Sequence, residues 1–237
     1  MLRIEVLTLF PEVFNSFMEA SLIKKGIERK QLSINLVNFR KNGIGKHLKV
    51  DDEPYGGGPG MLLRVEPIAL TLSEIKEKNF ASGRRTRTIL ITPQGETFNQ
   101  KKAEDLSKRQ EVLSLICGRY EGFDERIRSF VDEEISGGDF ICLGGEVIAM
   151  TIIEAVSRLR PNFLGNSKSN KNESFSDSIL EFPQYTHPKI YNGLSVPKEL
   201  VTGNHKTITE WRLENSYRKT EKQRPDLLKQ NKNINRT

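Results

Sequence analysis

The sequence predicts an α/β fold, a parallel sheet with helices on both faces, followed by a small, mainly helical C-terminal domain. Three observations predict it. Short apolar runs rich in β-branched residues alternate with longer helical patterns over residues 1–160, the order that builds a parallel sheet covered by crossover helices. Glycine turns follow several of these runs, at Pro93-Gln94-Gly95, Gly118 and Gly144-Gly145. Nine Lys/Arg stand against four Asp/Glu in residues 201–237, so five of the six net positive charges lie there.

Taken in order, Arg3 to Leu9 reads as a buried strand, and Pro11 sets the first turn of a helix reaching about Lys25, since proline is pre-shaped for a helix start. Leu32 to Val37 is a second strand. Phe39 to Gly60 carries six glycines and two prolines, too long for a mere connector. Val65 to Asn79 has apolar residues at helical spacing. Thr88 to Thr92 is a β-branched strand broken by Pro93-Gln94-Gly95, and residues 99–109 form a polar helix. Leu113 to Cys117 is an apolar strand cut by Gly118. A charged turn follows, and a further apolar run, Phe140 to Leu143, reads as a strand cut by Gly144 and Gly145. Glu146 to about Arg160 is a helix apolar on most sides and stopped by Pro161.

Beyond it, Gly165 to Ser178 is almost wholly polar and reads as a flexible linker. Phe182 to Lys198 is rich in proline and aromatics, so irregular structure is expected. A helix from Lys206 to about Lys219 follows, and Arg218 to Thr237 reads as a basic tail. The expected division is residues 1–164, a linker at 165–178, and a C-terminal domain at 179–237. A basic module beside a near-neutral α/β domain matches an RNA-holding part.

Composition excludes several classes. The 237 residues, 36% hydrophobic, suffice for a core. No apolar stretch approaches the ~20 residues needed to cross a bilayer, and the N-terminus MLRIEVLTLFPE lacks a signal-peptide pattern. A cytosolic chain with no membrane partner is expected. Cys117 and Cys142 lie in apolar runs and read as reduced core residues. His47, His187 and His205 are far apart, so no metal site is expected. Neither a G-x-G-x-x-G with a following acid nor a G-x-x-x-x-G-K-[ST] occurs, which leaves classical dinucleotide and P-loop folds unsupported. Strand-end glycine turns suit a ligand held mainly by backbone groups.

Leu9-Phe10-Pro11, the segment DDEPYGGGPGM at 51–61, Pro93-Gln94-Gly95, CGRYEG at 117–122, Asp124-Glu125-Arg126, Gly144-Gly145-Glu146, Ala149-Met150-Thr151, Ser157-Arg158 and Thr202 to His205 occur in this order. Together they resemble the bacterial tRNA (guanine-N1)-methyltransferases of the SPOUT family. The resemblance implies a C-terminal trefoil-type knot in residues 1–164, S-adenosylmethionine as methyl donor, and a homodimer with the active site between subunits. It further implies that the C-terminal domain binds tRNA at its anticodon region, with N1 of guanosine 37 the target, and it admits Mg2+. Donor contacts are implied for Thr92, Pro93, Gln94, Gly95, Gly118, Tyr120, Glu121, Gly137, Cys142, Gly144 and Gly145.

Methylating guanine N1 requires removal of its proton and stabilisation of charge developing on O6, work for a carboxylate and a guanidinium. The resemblance assigns these to Glu173 and Arg158, with Asp177 a substitute base. Three departures stand out. Glu173 occupies the family's Asp position, Leu143 replaces a frequent Ser, and Ile148 replaces a usual Pro. An i,i+4 pair with Glu154 accounts for Arg158 without catalysis. Two alternatives therefore stay open: an RNA-binding homologue that lost its chemistry, and a methyltransferase acting on ribose 2′-OH.

Overall fold

A computed structural model describes residues 1–164, 173–175 and 178–234. The chain forms two compact units, Met1–Gly165 and Asn166–Thr237.

In the first unit β1 (Leu2–Thr8), β2 (Leu32–Asn38), β5 (Thr86–Thr97), β6 (Val112–Cys117) and β7 (Glu133–Ser136) form one sheet in the order β2-β1-β6-β5-β7. Every pairing is parallel. Because successive strand residues face opposite sides, Ile89 and Ile91 enter one core and Leu90 the other. Helices α2 (Ser21–Glu28), α4 (Gln100–Lys108) and α5 (Glu146–Arg158) bury Ile23, Leu106, Ile152 and Val156 in the first core. Helix α3 (Val65–Ala81) buries Ile68, Leu72 and Ile75 in the second. The short strands β3 (Asp51–Asp52) and β4 (Leu62–Leu63) close the glycine-rich loop as an antiparallel pair.

Three elements differ from the sequence expectation. The first helix is split into a 3-10 turn at Pro11–Phe14, a short α1 (Asn15–Met18), and α2 after an extended Ala20. Phe14 and Ile23 are both buried in one core, yet nine positions span about two and a half turns, which would put them on opposite sides of a straight helix. The break lets both face the sheet. Phe140 to Leu143 is not a strand; Phe140, Ile141 and Leu143 are exposed. The strand is instead β7, which the charged run Asp132-Glu133-Glu134 concealed. It lies at the sheet edge, where Arg87 and Lys102 pair with Glu133 at 2.6 and 3.2 Å and Arg128 pairs with Glu134. Nor does Pro93-Gln94-Gly95 end its strand: β5 runs on to Thr97, with the register against β7 jumping between Ile91 and Glu96.

The second unit holds α6 (His205–Gln223) and α7 (Pro225–Ile234), with the small hairpin of β8 (Ile190–Tyr191) and β9 (Leu194–Ser195). The expected basic tail is therefore largely helical. Asn204 caps α6 by accepting from the backbone N–H of Lys206 and Thr207, and Pro225 opens α7 at a position suited to proline. Leu227 is buried.

Candidate active site

A cavity of about 480 Å³ opens at the carboxyl ends of β6 and β7 and beside the middle of β5, where its pairing with β6 stops at Ile91; strand ends are where open α/β sheets bind ligands. Three chain segments wall it: Leu90 to Gln94, Gly118 to Arg128, and Ser136 to Ile148 with gaps. Of the eleven residues expected to contact a donor, ten line this cavity: Thr92, Pro93, Gln94, Gly118, Tyr120, Glu121, Gly137, Cys142, Gly144 and Gly145. Gly95 is the exception. A Cβ there would come within 2.5 Å of the Glu134 and Ile135 backbone, so its bareness serves strand packing.

Two glycines fix the shape of the cavity floor. Gly145 donates its backbone N–H to the Gly118 carbonyl at 3.0 Å, which ties the turn before α5 to the end of β6. A Cβ on Gly145 would lie 2.9 Å from the Cys117 Cα, closer than packed atoms allow. On the far side, Gly56, Gly57, Gly58 and Gly60 all hold positive φ, backbone that residues with a Cβ rarely adopt. This loop reaches the cavity turn through hydrogen bonds from Glu121 to the Met61 carbonyl and from Leu63 to the Gly122 carbonyl, at 3.1 and 2.8 Å. Asp52 anchors its base, accepting from Lys49 at 2.9 Å and Arg64 at 2.6 Å. The Lys49 hydrogen bond holds its carboxyl below the usual range.

Electrostatically the cavity is mixed. Glu121, Asp124 and Glu125 stand on its wall with Arg119 and Arg128. Arg128 bonds the Gln94 side-chain oxygen and pairs with Glu125 at 2.7 Å. Arg119 is held by two groups: the Glu146 carboxylate at 3.0 Å, itself bonded by the Thr8 hydroxyl at 2.7 Å, and the ring of Phe10, whose centroid is 4.4 Å away. Glu146 is only 2% exposed and opens α5, where the helix dipole favours a negative charge. Sequence reasoning missed this cluster. Its signal was faint, because Phe10, Arg119 and Glu146 sit in three separate motifs that no local pattern joins.

Cys117 is fully buried, and burial pushes its thiol well above the usual range. Cys142 was expected in the core and is instead exposed on the cavity rim, since the apolar run holding it is a surface turn. Leu143 is also exposed, and Ile148 lines the cavity with its Cδ1 where a Cβ on Gly137 would sit.

Arg158 ends α5 in a half-buried position, and Glu173 is half-buried in the second unit. Neither lines the cavity. Asp177 lies outside the described residues, as does most of the expected 165–178 linker. Among the described residues, no group of three or more His, Cys, Asp or Glu is arranged to hold a metal ion, and no helix is long and apolar enough to cross a membrane.

Known proteins match this sequence over nearly its full length. The family model described as tRNA (Guanine-1)-methyltransferase TrmD matches residues 2–230. A protein of Metamycoplasma arthritidis named tRNA (guanine-N(1)-)-methyltransferase is 52% identical over 232 residues, covering 98% of this chain and 97% of the relative. Proteins of the same name from Streptococcus agalactiae and Moorella thermoacetica are 50% and 47% identical, each over 96% of this chain and over 87% and 90% of their own lengths. The chain belongs to the TrmD family of tRNA (guanine-1)-methyltransferases.

Proposed function

We propose that this protein transfers a methyl group from S-adenosylmethionine to N1 of guanosine 37, beside the tRNA anticodon. One observation carries the reading: ten positions implicated in donor contact converge on a single strand-end cavity in a chain about half identical to named tRNA (guanine-N1)-methyltransferases. Its volume of about 480 Å³ falls in the range of small-molecule sites. Leu90, Ile91 and Ile148 offer apolar surface for an adenine ring, bare Gly118 and Gly145 let backbone approach it, and Glu121 and Glu125 suit a cationic ligand.

When bound, S-adenosylmethionine supplies an electrophilic methyl group. Glu173 takes the proton from guanine N1, so the ring nitrogen can form the new N–C bond as the donor's S–CH3 bond breaks and its sulfur leaves as a neutral thioether. Arg158 holds the negative charge that develops on O6. Glu121, Asp124 and the backbone at Gly118 and Gly145 orient the donor, and the Glu146 and Phe10 contacts keep Arg119 in one place on the wall.

The resemblance to the SPOUT family supports a trefoil-type knot in the first unit. Exposed Phe140, Ile141, Leu143 and Val147, 54 to 91% accessible around the cavity mouth, support a second copy covering them as a homodimer; a monomer by light scattering at micromolar concentration would overturn that part. The excess of Lys and Arg in residues 201–237 supports a role for the C-terminal unit in holding tRNA.

A methylation assay on tRNA transcripts that differ only at position 37, with the product nucleoside mapped by mass, tests the activity. Guanosine 37 transcripts gain one methyl group on the base and adenosine 37 transcripts gain none. Methylation of a ribose 2′-OH, or none at all, would reject it.

A further inference from the structure

The C-terminal unit has its own cavity, of about 420 Å³, and its chemistry differs from that of the strand-end cavity. One wall is the Phe182 to Lys189 segment. The other includes Ile208 and Arg212, four residues apart and therefore on one face of α6. The Arg212 guanidinium lies over the Phe182 ring, 4.8 Å from its centroid. Tyr185 is half exposed, with its ring tilted against Trp211 at 6.3 Å. His187 and Lys189 complete the polar lining. No carboxylate lines this cavity, and among the described residues neither Lys189 nor Arg212 makes an ion pair.

Cations left without a countercharge call for an anion, and the half-exposed ring of Tyr185 calls for a flat ring. A nucleotide carries both on one scaffold, and single-stranded RNA is held in this way by stacking on aromatics with basic side chains along the backbone. We propose that this cavity binds one unpaired nucleotide of RNA, its base against Tyr185 and Phe182 and its phosphate on Lys189 and Arg212. The proposal rests on the reading of this chain as a tRNA-modifying enzyme and adds a second point of contact, remote in sequence from the donor cavity.

The chain contains a single tryptophan, and it adjoins Tyr185, so its fluorescence reports on this cavity. Full-length protein is titrated with a single-stranded pentauridylate, an abasic pentamer with the same phosphates, inorganic phosphate and an acidic peptide. Saturable change with pentauridylate, and binding at least about tenfold weaker for the abasic pentamer, are expected, since stacking supplies much of the affinity. Tyr185→Ala should weaken binding roughly 5- to 100-fold. Tyr185→Leu, which keeps apolar bulk, should bind as poorly, while Tyr185→Phe should stay within about twofold because it keeps the ring. Lys189→Ala should lower the salt slope by about 0.7.

Equal affinity for intact and abasic pentamers would reduce the site to phosphate binding and overturn the proposal. Tighter binding of the acidic peptide would do so in favour of a protein partner, and wild-type affinity in a folded Tyr185→Leu variant would do so outright. Methylation assays on the same preparation separate the two claims. Methylation of guanosine 37 with unaltered binding by Tyr185→Leu rejects this site alone, and pentauridylate binding without methylation rejects the activity alone.

Discussion

In the first unit, apolar side chains fill both faces of a five-stranded sheet, and β6 is buried at every position. In the second, Leu227 is the only buried hydrophobic residue among those described. The cavities differ in the same way. Glycines and strand-end backbone form much of the first, which works only if the backbone cannot shift by a few tenths of an ångström. Aromatic and cationic side chains projecting from a helix and an irregular segment form the second, and these tolerate adjustment. The proposed donor cavity, which needs fixed atoms, is thus set on the well-packed sheet, and the proposed grip on a pliable polymer is set on the lightly packed helices.

The contrast predicts that changes to proposed reacting groups abolish turnover without loosening the fold. Glu173→Gln should lower the single-turnover methylation rate roughly 100- to 10,000-fold with donor affinity unchanged, the usual contribution of a positioned base. Glu173→Asp should retain substantial activity. Benign behaviour of Glu173→Gln would remove this residue as the base. Arg158→Ala should cost about 100-fold or more in turnover. If Arg158 serves only as an i,i+4 partner of Glu154, the same change costs roughly 0.2 to 0.5 kcal/mol of stability and spares turnover, an outcome that calorimetric melting with kinetics distinguishes.

Effects on the sheet unit should appear in stability and its pH dependence. Burial pushes the Glu133 carboxyl up, but hydrogen bonds from Arg87 and Lys102 outweigh this and hold it below the usual range. A depressed carboxylate stabilises above its unfolded pKa, about 4.3, and loses that contribution as pH falls through the lower folded value. Glu133→Gln should therefore cost about 1.5 to 3 kcal/mol at pH 7 by denaturant unfolding. That difference should shrink steadily below about pH 4; a difference constant from pH 7 to pH 3 would contradict the pairing.

The smallest effect concerns thiols. Cys142 is exposed and Cys117 is fully buried, so a thiol reagent should label one cysteine in the native protein and the second only on unfolding. Labelling of Cys142 should block donor binding, since it lines the cavity. Rapid native labelling of both would contradict the burial of Cys117.

Strands buried on both faces were legible because they read as unbroken apolar runs, as Val112 to Cys117 does. An edge strand need not. Glu133 and Glu134 look like a turn until Arg87, Lys102 and Arg128, distant in sequence, are found neutralising them. Phe140 to Leu143 misled in the opposite sense, because local hydrophobicity does not tell a core strand from an exposed apolar turn. Most positions marked by glycine turns line one cavity, since a close backbone approach leaves a mark at single positions. The Thr8, Phe10, Arg119 and Glu146 cluster left only a faint one, because the parallel pairing of β1 with β6 and the start of α5 bring its parts together.

Donor titration of Gly145→Ala by calorimetry, beside the wild-type protein, addresses the central claim most directly. The added Cβ would stand 2.9 Å from the Cys117 Cα and 3.0 Å from the Gly118 amide nitrogen, so the turn carrying Gly144 and Gly145 must withdraw from the cavity floor. S-adenosylmethionine should bind at least about tenfold more weakly, or about 1.4 kcal/mol, while pentauridylate binding at the C-terminal cavity stays unchanged. Wild-type donor affinity in a folded Gly145→Ala protein would contradict the placement of the donor in the strand-end cavity.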